Sequence, residues 1–263
     1  MESLYVGWQN EDTREWVPVA KLNKGPDAYT LQYTRGAKRS KSFVGLGRMG
    51  DLDKTYLSKD LFPFFVNRLI SKSRPEYQDY LRWLGLESSD HNPMNVLAVT
   101  GGVRATDSFE LIPSPRQEGG RLVMDFFPRS LNYLPVDVLN VIDSMMSGTR
   151  LFLMKDVQNP YDPNAFALRI DKPKALVGYF ARYYCRGLDR LLQRTDSDVK
   201  VLVKQVNLDA PIAMRLLCTL SANWAVVSEF LEAEDDFLPW SSDDAGTSTK
   251  LAIERALQAM GED

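Results

Sequence analysis

Two apolar runs open the chain, residues 4–9 (LYVGWQ) and 16–22 (WVPVAKL). Aromatic and branched side chains dominate both, and the polar stretch Asn10 to Arg14 separates them, a pattern that predicts a β-hairpin. Tyr29 to Tyr33 alternates with period two and predicts a third strand. Residues 35–42 (RGAKRSKS) are basic and polar and read as a solvated loop. Helical spacing follows. Leu61, Phe62, Phe65, Val66 and Leu69 recur at three- and four-residue steps behind Asp60 as N-cap and Pro63 in the first turn. Pro75 to Leu84 carries Tyr77, Tyr80, Leu81 and Leu84 on one face, with Gly85 closing it. A third helix is predicted from Pro93 to Val99, ending at Gly101-Gly102, and then a strand from Ser108 to Ile112.

The stretch from Ile112 to Gly120 (IPSPRQEGG) concentrates two prolines and two glycines and reads as a linker. It divides the chain into a first domain, residues 1–114, a linker, 115–122, and a second domain, 123–228. Within the second, strands are predicted at 122–127, 149–154, 165–170, 175–180 and 199–206. Helices are predicted at 136–146 and, shorter, at 188–192. Short strands around two helices suggest a small barrel-like sheet. The expected fold class is therefore α+β, an N-terminal antiparallel sheet with helices followed by a small barrel with helices. Residues 229–263 form an acidic tail in which 249–260 is predicted to be a final helix.

Composition narrows the chemistry. The 263 residues are 44% hydrophobic and 25% charged, proportions of an ordinary globular protein. The formal charge of −3 is uneven: the tail carries −8 and the preceding 228 residues +5, which suits an anionic partner for the body. No run approaches the roughly 18 apolar residues of a bilayer span. The start lacks a cationic segment followed by an apolar one, so a cytoplasmic location with Cys185 and Cys218 as reduced thiols is expected. His91, the one histidine, lies in a turn-like stretch ending Asn92-Pro93, which leaves three-histidine metal sites impossible and a histidine-based triad poorly placed. Gly45, Gly47 and Gly50 are spaced like a phosphate loop but lack the strand-to-helix setting that such a loop needs. No cofactor and no catalytic residue is expected. Asp156 and Asp162 are close enough to raise a metal-dependent nuclease, but two acids without a supporting motif are common by chance.

One motif is sharper than the rest. Asn159-Pro160-Tyr161-Asp162-Pro163-Asn164-Ala165 is followed by Val177-Gly178-Tyr179 and preceded by Leu131-Asn132-Tyr133 and Gly148-Thr149-Arg150-Leu151. Together, over about residues 123–206, these resemble the HIRAN domain. That resemblance implies a modified OB-like barrel that binds single-stranded DNA, notably its free 3′ end. By match to the family pocket it assigns Tyr133 and Tyr161 to stacking or sugar contacts, Asp162 to the 3′-hydroxyl and Arg182 to phosphate. It places Asn159 at a base edge or backbone oxygen and Tyr179 beside the same groove. Arg186 follows, recurring with Arg190 and Arg194 every four residues, a basic stripe if that segment is helical. The chain departs from the family where Arg-Tyr-Tyr is replaced by Asn132-Tyr133-Leu134, which removes one guanidinium and one ring.

The first half resembles something else. Leu61 to Ile70 (LFPFFVNRLI), Tyr80 to Leu86, Met94 to Gly102 (MNVLAVTGG) and Phe109 to Pro113 follow the order of motifs in the N-terminal subdomain of HipA-like kinases, over about residues 3–113. The kinase body is absent. In some toxin–antitoxin modules this subdomain is a separate small protein that restrains its kinase. The resemblances together imply a non-enzymatic antitoxin or regulatory subunit, with a HipA-like Ser/Thr kinase and single-stranded DNA as partners. The rival is a DNA-end-binding accessory of repair or helicase machinery, with the first domain as scaffold.

Overall fold

The computed structural model describes residues 3–86, 91–230 and 234–240. The predicted terminal helix lies outside them. The first sheet is antiparallel with strand order β4-β3-β2-β1-β5, built from β1 (Ser3–Gln9), β2 (Trp16–Lys24), β3 (Tyr29–Tyr33), β4 (Tyr56–Ser58) and β5 (Phe109–Pro113). Between β3 and β4 lies α1 (Arg35–Arg39). The helices α2 (Pro63–Val66), α3 (Tyr77–Trp83) and α4 (Pro93–Thr100) precede β5. Asn92 caps α4 by accepting the Asn95 amide at 3.0 Å.

The centre of β1 is buried throughout because both faces of the sheet are covered. Leu4, Val6 and Trp8 pack with Phe65, Leu97 and Leu111 in a core of the first half, whereas Tyr5 and Ile112 point the other way into the core of the second. That explains the run LYVGW, which is apolar without clean alternation. The glycine-spaced loop also folds inward. Leu46 and Met49 are buried, and the Tyr33 hydroxyl sits between them, accepting from the Leu46 amide at 2.9 Å and donating to the Met49 carbonyl. Burial pushes the Tyr33 hydroxyl up to about 12.

The second sheet has seven strands in the order β10-β9-β8-β11-β12-β7-β6. They are β6 (Arg116–Glu118), β7 (Arg121–Phe126), β8 (Arg150–Lys155), β9 (Phe166–Ile170), β10 (Ala175–Tyr179), β11 (Lys200–Val206) and β12 (Leu216–Asn223). The helix α5 (Val136–Asp143) follows β7, and α6 (Arg182–Gln193) follows β10. The sheet curls until Arg129 and Tyr179 exchange both backbone hydrogen bonds, at 2.8 and 3.0 Å, but this bridge is isolated. The expected barrel is thus an open sheet with free ends at β6 and β10 among the described residues.

Several elements differ from the sequence reading. Residues 35–39 are helical: Gly36 and Ala37 are buried, Gly36 against Val17 and Pro18 of β2, while Arg35 and Arg39 stay exposed and pair with Asp235 and Asp236 of the acidic segment. The predicted linker is the β6–β7 hairpin: Arg116 reaches Asp125 at 2.9 Å, and the turn falls at Gly119-Gly120. Asp125 is buried. Burial opposes its charge, yet the Thr219 hydroxyl, Arg116 and Lys204 hold its carboxyl below the usual range. β12 was not apparent in the sequence, and α6 runs a full turn and a half ahead of the predicted short helix. Residues 234–240 of the acidic tail dock back onto the first sheet. Pro239 bridges Thr34, Trp240 donates its amide to the Tyr33 carbonyl at 2.8 Å, and Phe237 packs edge-on against Tyr5. Among the described residues, no helix is long and apolar enough to cross a membrane.

Candidate nucleic-acid interface

The Asn-Pro-Tyr-Asp loop connects β8 to β9, and its own side chains fold it. The Asn159 side-chain oxygen accepts the amides of Tyr161 and Asp162 at 3.0 and 3.1 Å. Its side-chain nitrogen donates to Asp156 Oδ2 at 3.2 Å, and Asp162 Oδ1 accepts the Asn164 amide at 2.9 Å. These are local turn bonds of the kind Asn and Asp favour. They leave the Tyr161 ring 84% exposed and Asp162 only 9% exposed.

Across from this loop, the chain leaving β7 turns at Ser130, whose left-handed φ of 69° buries Leu131 and projects Tyr133 outward, 87% exposed. The Val-Gly-Tyr strand passes beneath. A Cβ at Gly178 would lie 2.9 Å from the Arg129 carbonyl oxygen, and φ there is +126°, so the bridge that curls the sheet requires glycine. Immediately after it, the Tyr179 hydroxyl donates to Asp156 Oδ2 at 3.0 Å. Burial first, then the Asp156 carboxylate, raises the Tyr179 pKa.

Tyr133, Asn159, Tyr161, Asp162, Tyr179 and Arg182 all line one cleft of about 650 Å³, in the range of ligand sites. Arg182 opens α6, with Nε 3.6 Å from Asp162 Oδ2. The seventh expected residue, Arg186, does not line the cleft. One helical turn on, it faces Glu234 at 3.9 Å, in a neighbouring cleft of about 320 Å³. Arg190 shares Glu234 at 3.3 Å, and Arg194 lies beyond the helix and pairs with Asp196. Each arginine of the basic stripe therefore has an acidic partner. Burial raises the Glu234 pKa despite the two arginines.

Asn159 also departs from its expected role, since its amide group is committed to the turn. Arg129, Glu110, Trp16, Tyr183 and Asp156 also line it. Glu110 of β5 accepts from both Arg129 and the Tyr183 hydroxyl, the latter at 2.8 Å, and so pins a guanidinium at the cleft. Arg129 thus supplies, from three residues upstream, a cation of the type missing at Asn132. Only its place in space reveals this. Two guanidiniums face three carboxylates, so the cleft has no net positive charge. No group of three or more metal-binding side chains occurs among the described residues. Cys185 lies at the cleft's edge, buried, its thiol pushed up to about 12 by burial, and is unreactive in this state.

Residues 123–224 match the HIRAN domain. The HIRAN segment starts within β7 and ends one residue past β12, so it holds every expected site residue. Trp16 and Glu110 of the lining fall outside it. The crystal structure of the HIRAN domain of human HLTF is similar at 16% identity, covering 48% of this chain and 100% of that one, with a TM-score of 0.34. A protein from Lactobacillus plantarum is similar at 19% identity, covering 39% of this chain and 97% of that one, with a TM-score of 0.31. No curated protein matches the chain.

Proposed function

We propose that the cleft binds the 3′ end of single-stranded DNA and that the protein acts by binding, without catalysis of its own. The observation that carries this is the pair of exposed rings, Tyr133 and Tyr161, lining one cleft whose other polar groups include carboxylates, in a segment that matches the HIRAN domain. Exposed aromatic faces offer stacking that any base can use. A carboxylate repels phosphate but accepts a hydroxyl, and an internal nucleotide lacks the free 3′-hydroxyl that a strand end presents. In this reading Asp162 accepts that hydroxyl, Arg182, held beside it, meets the adjacent phosphate, and Arg129 provides a second cation. Asn159 and Tyr179 act indirectly, by holding Tyr161 and Asp156.

The antitoxin role drawn for residues 3–113, with a HipA-like kinase as partner, rests on resemblance alone. Binding of a DNA 3′ end, which the antitoxin and accessory readings share, is the part that the cleft supports. Its test is the affinity of a fluorescent single-stranded oligonucleotide for Tyr133→Ala and Tyr161→Ala. Loss of one stacked base costs about 1–3 kcal/mol, so each variant is expected to bind roughly 5- to 150-fold more weakly. Unchanged affinity in both would overturn the reading.

A further inference from the structure

The candidate cleft and its neighbour share four lining residues: Asp162, Arg182, Tyr183 and Trp16. Three belong to the HIRAN segment, but Trp16 is the first residue of β2, in the other sheet. Its ring meets Tyr183 edge-on at 6.2 Å. Next to it, the tip of the β1–β2 hairpin also reaches the site: the Arg14 carbonyl accepts from Arg182 Nη1 at 3.3 Å and from the Gln9 side chain at 3.1 Å. The tip is built to hold that position. Asn10 accepts the amides of Asp12 and Thr13 at 2.9 and 3.1 Å, and Arg14 takes a left-handed φ of 58°. One ring and one carbonyl of the first sheet therefore stand at the point where the two clefts join.

We propose that Trp16 is a third stacking surface of the DNA site, contributed by the first sheet, and that it receives a base two or more positions upstream of the 3′-terminal one, beyond the reach of a dinucleotide. This rests on the reading of the cleft as a DNA-end site. A strand with its terminus between Tyr133 and Tyr161 has its earlier nucleotides leave along the shared wall. On that wall the Tyr183 hydroxyl is tied to Glu110, while the Trp16 ring lines both clefts. The neighbouring cleft carries Glu15, Asp162, Glu234 and Asp236 against Arg182 and Arg186, so it gives a phosphate backbone little attraction. Stacking is the interaction left to hold the strand there. The first sheet is then a wall of the site and extends the length of DNA bound.

The experiment compares a 3′-hydroxyl dinucleotide with a hexanucleotide, titrated into the full chain and its Trp16→Ala, Trp16→Phe and Tyr161→Ala variants. Trp16→Ala is expected to weaken hexanucleotide binding about fivefold or more while leaving dinucleotide binding unchanged. Trp16→Phe, which keeps a ring, is expected to restore most of the affinity, a recovery that a merely unfolded Ala variant would not explain. Tyr161→Ala is expected to weaken both ligands. If Trp16→Ala binds the hexanucleotide like the unaltered protein while Tyr161→Ala does not, the role of Trp16 is overturned and the cleft reading stands. If the unaltered chain binds neither oligonucleotide, both fall together.

Discussion

Asn159 accepts the backbone amide of Tyr161 at 3.0 Å, so the residue expected to meet a base is the one that sets its neighbour's ring outward. The same side chain donates to Asp156, which also receives the Tyr179 hydroxyl. Asn159→Ala removes the acceptor for two amides and is expected to cost about 1–3 kcal/mol of stability. Loss of the turn also frees Tyr161, so affinity for single-stranded DNA should fall with it. Thermal unfolding and a binding titration on one preparation check both. A variant as stable and as tight-binding as the unaltered chain would show that the turn does not present Tyr161.

Much of this site was legible because its motif is local. Asn159, Tyr161 and Asp162 are neighbours in sequence, and turn chemistry places them without long-range information. Likewise the first hairpin, β3 and α4 carry their own periodicity and end signals. What was not legible depends on the other sheet or on distant charge. Arg35 to Arg39 turns Gly36 and Ala37 onto β2 and its exposed arginines toward Asp235 and Asp236, a packing that its basic composition does not show. Arg116 joins a strand because Asp125 and its partners await it. The first half of α6, with Tyr183, Tyr184 and Cys185, has weak helical preference and is held by burial. Trp16 and Glu110 reach the cleft only through packing between the sheets. The barrel expected from resemblance stops one strand pairing short of closure, at the lone bridge between Arg129 and Tyr179.

Salt dependence follows from the lining. Arg129 and Arg182 are the cations of the cleft, so at most two phosphates are neutralised there. For single strands the slope of log K against log salt is about −0.7 per phosphate, which sets a limit near −1.4. Titrations across a salt series check this. A much steeper slope would place DNA on the arginines that pair with Glu234, Asp235 and Asp236.

Gly187 tests how the acidic segment is seated. Its Cα faces Phe230, and an added Cβ would lie 1.9 Å from the Phe230 carbonyl oxygen and 2.8 Å from its carbonyl carbon. Phe230 stacks on Tyr184 with centroids 5.3 Å apart, and Arg190 donates to its carbonyl at 3.0 Å. Backbone cannot yield there as a side-chain tip could. Gly187→Ala is therefore expected to cost about 1–3 kcal/mol, seen as a melting temperature several degrees lower. An unchanged melting temperature would show that this segment does not pack on α6 as described.

The most direct measurement is the affinity of the full chain for two oligonucleotides identical except at the end, one with a 3′-hydroxyl and one with a 3′-phosphate. A terminal phosphate puts negative charge against Asp162 and Asp156 where a hydroxyl would donate. The hydroxyl-ended strand is expected to bind at least about tenfold more tightly, a difference near 1.4 kcal/mol. Equal affinity for the two ends, or tighter binding of the phosphate, would contradict the account.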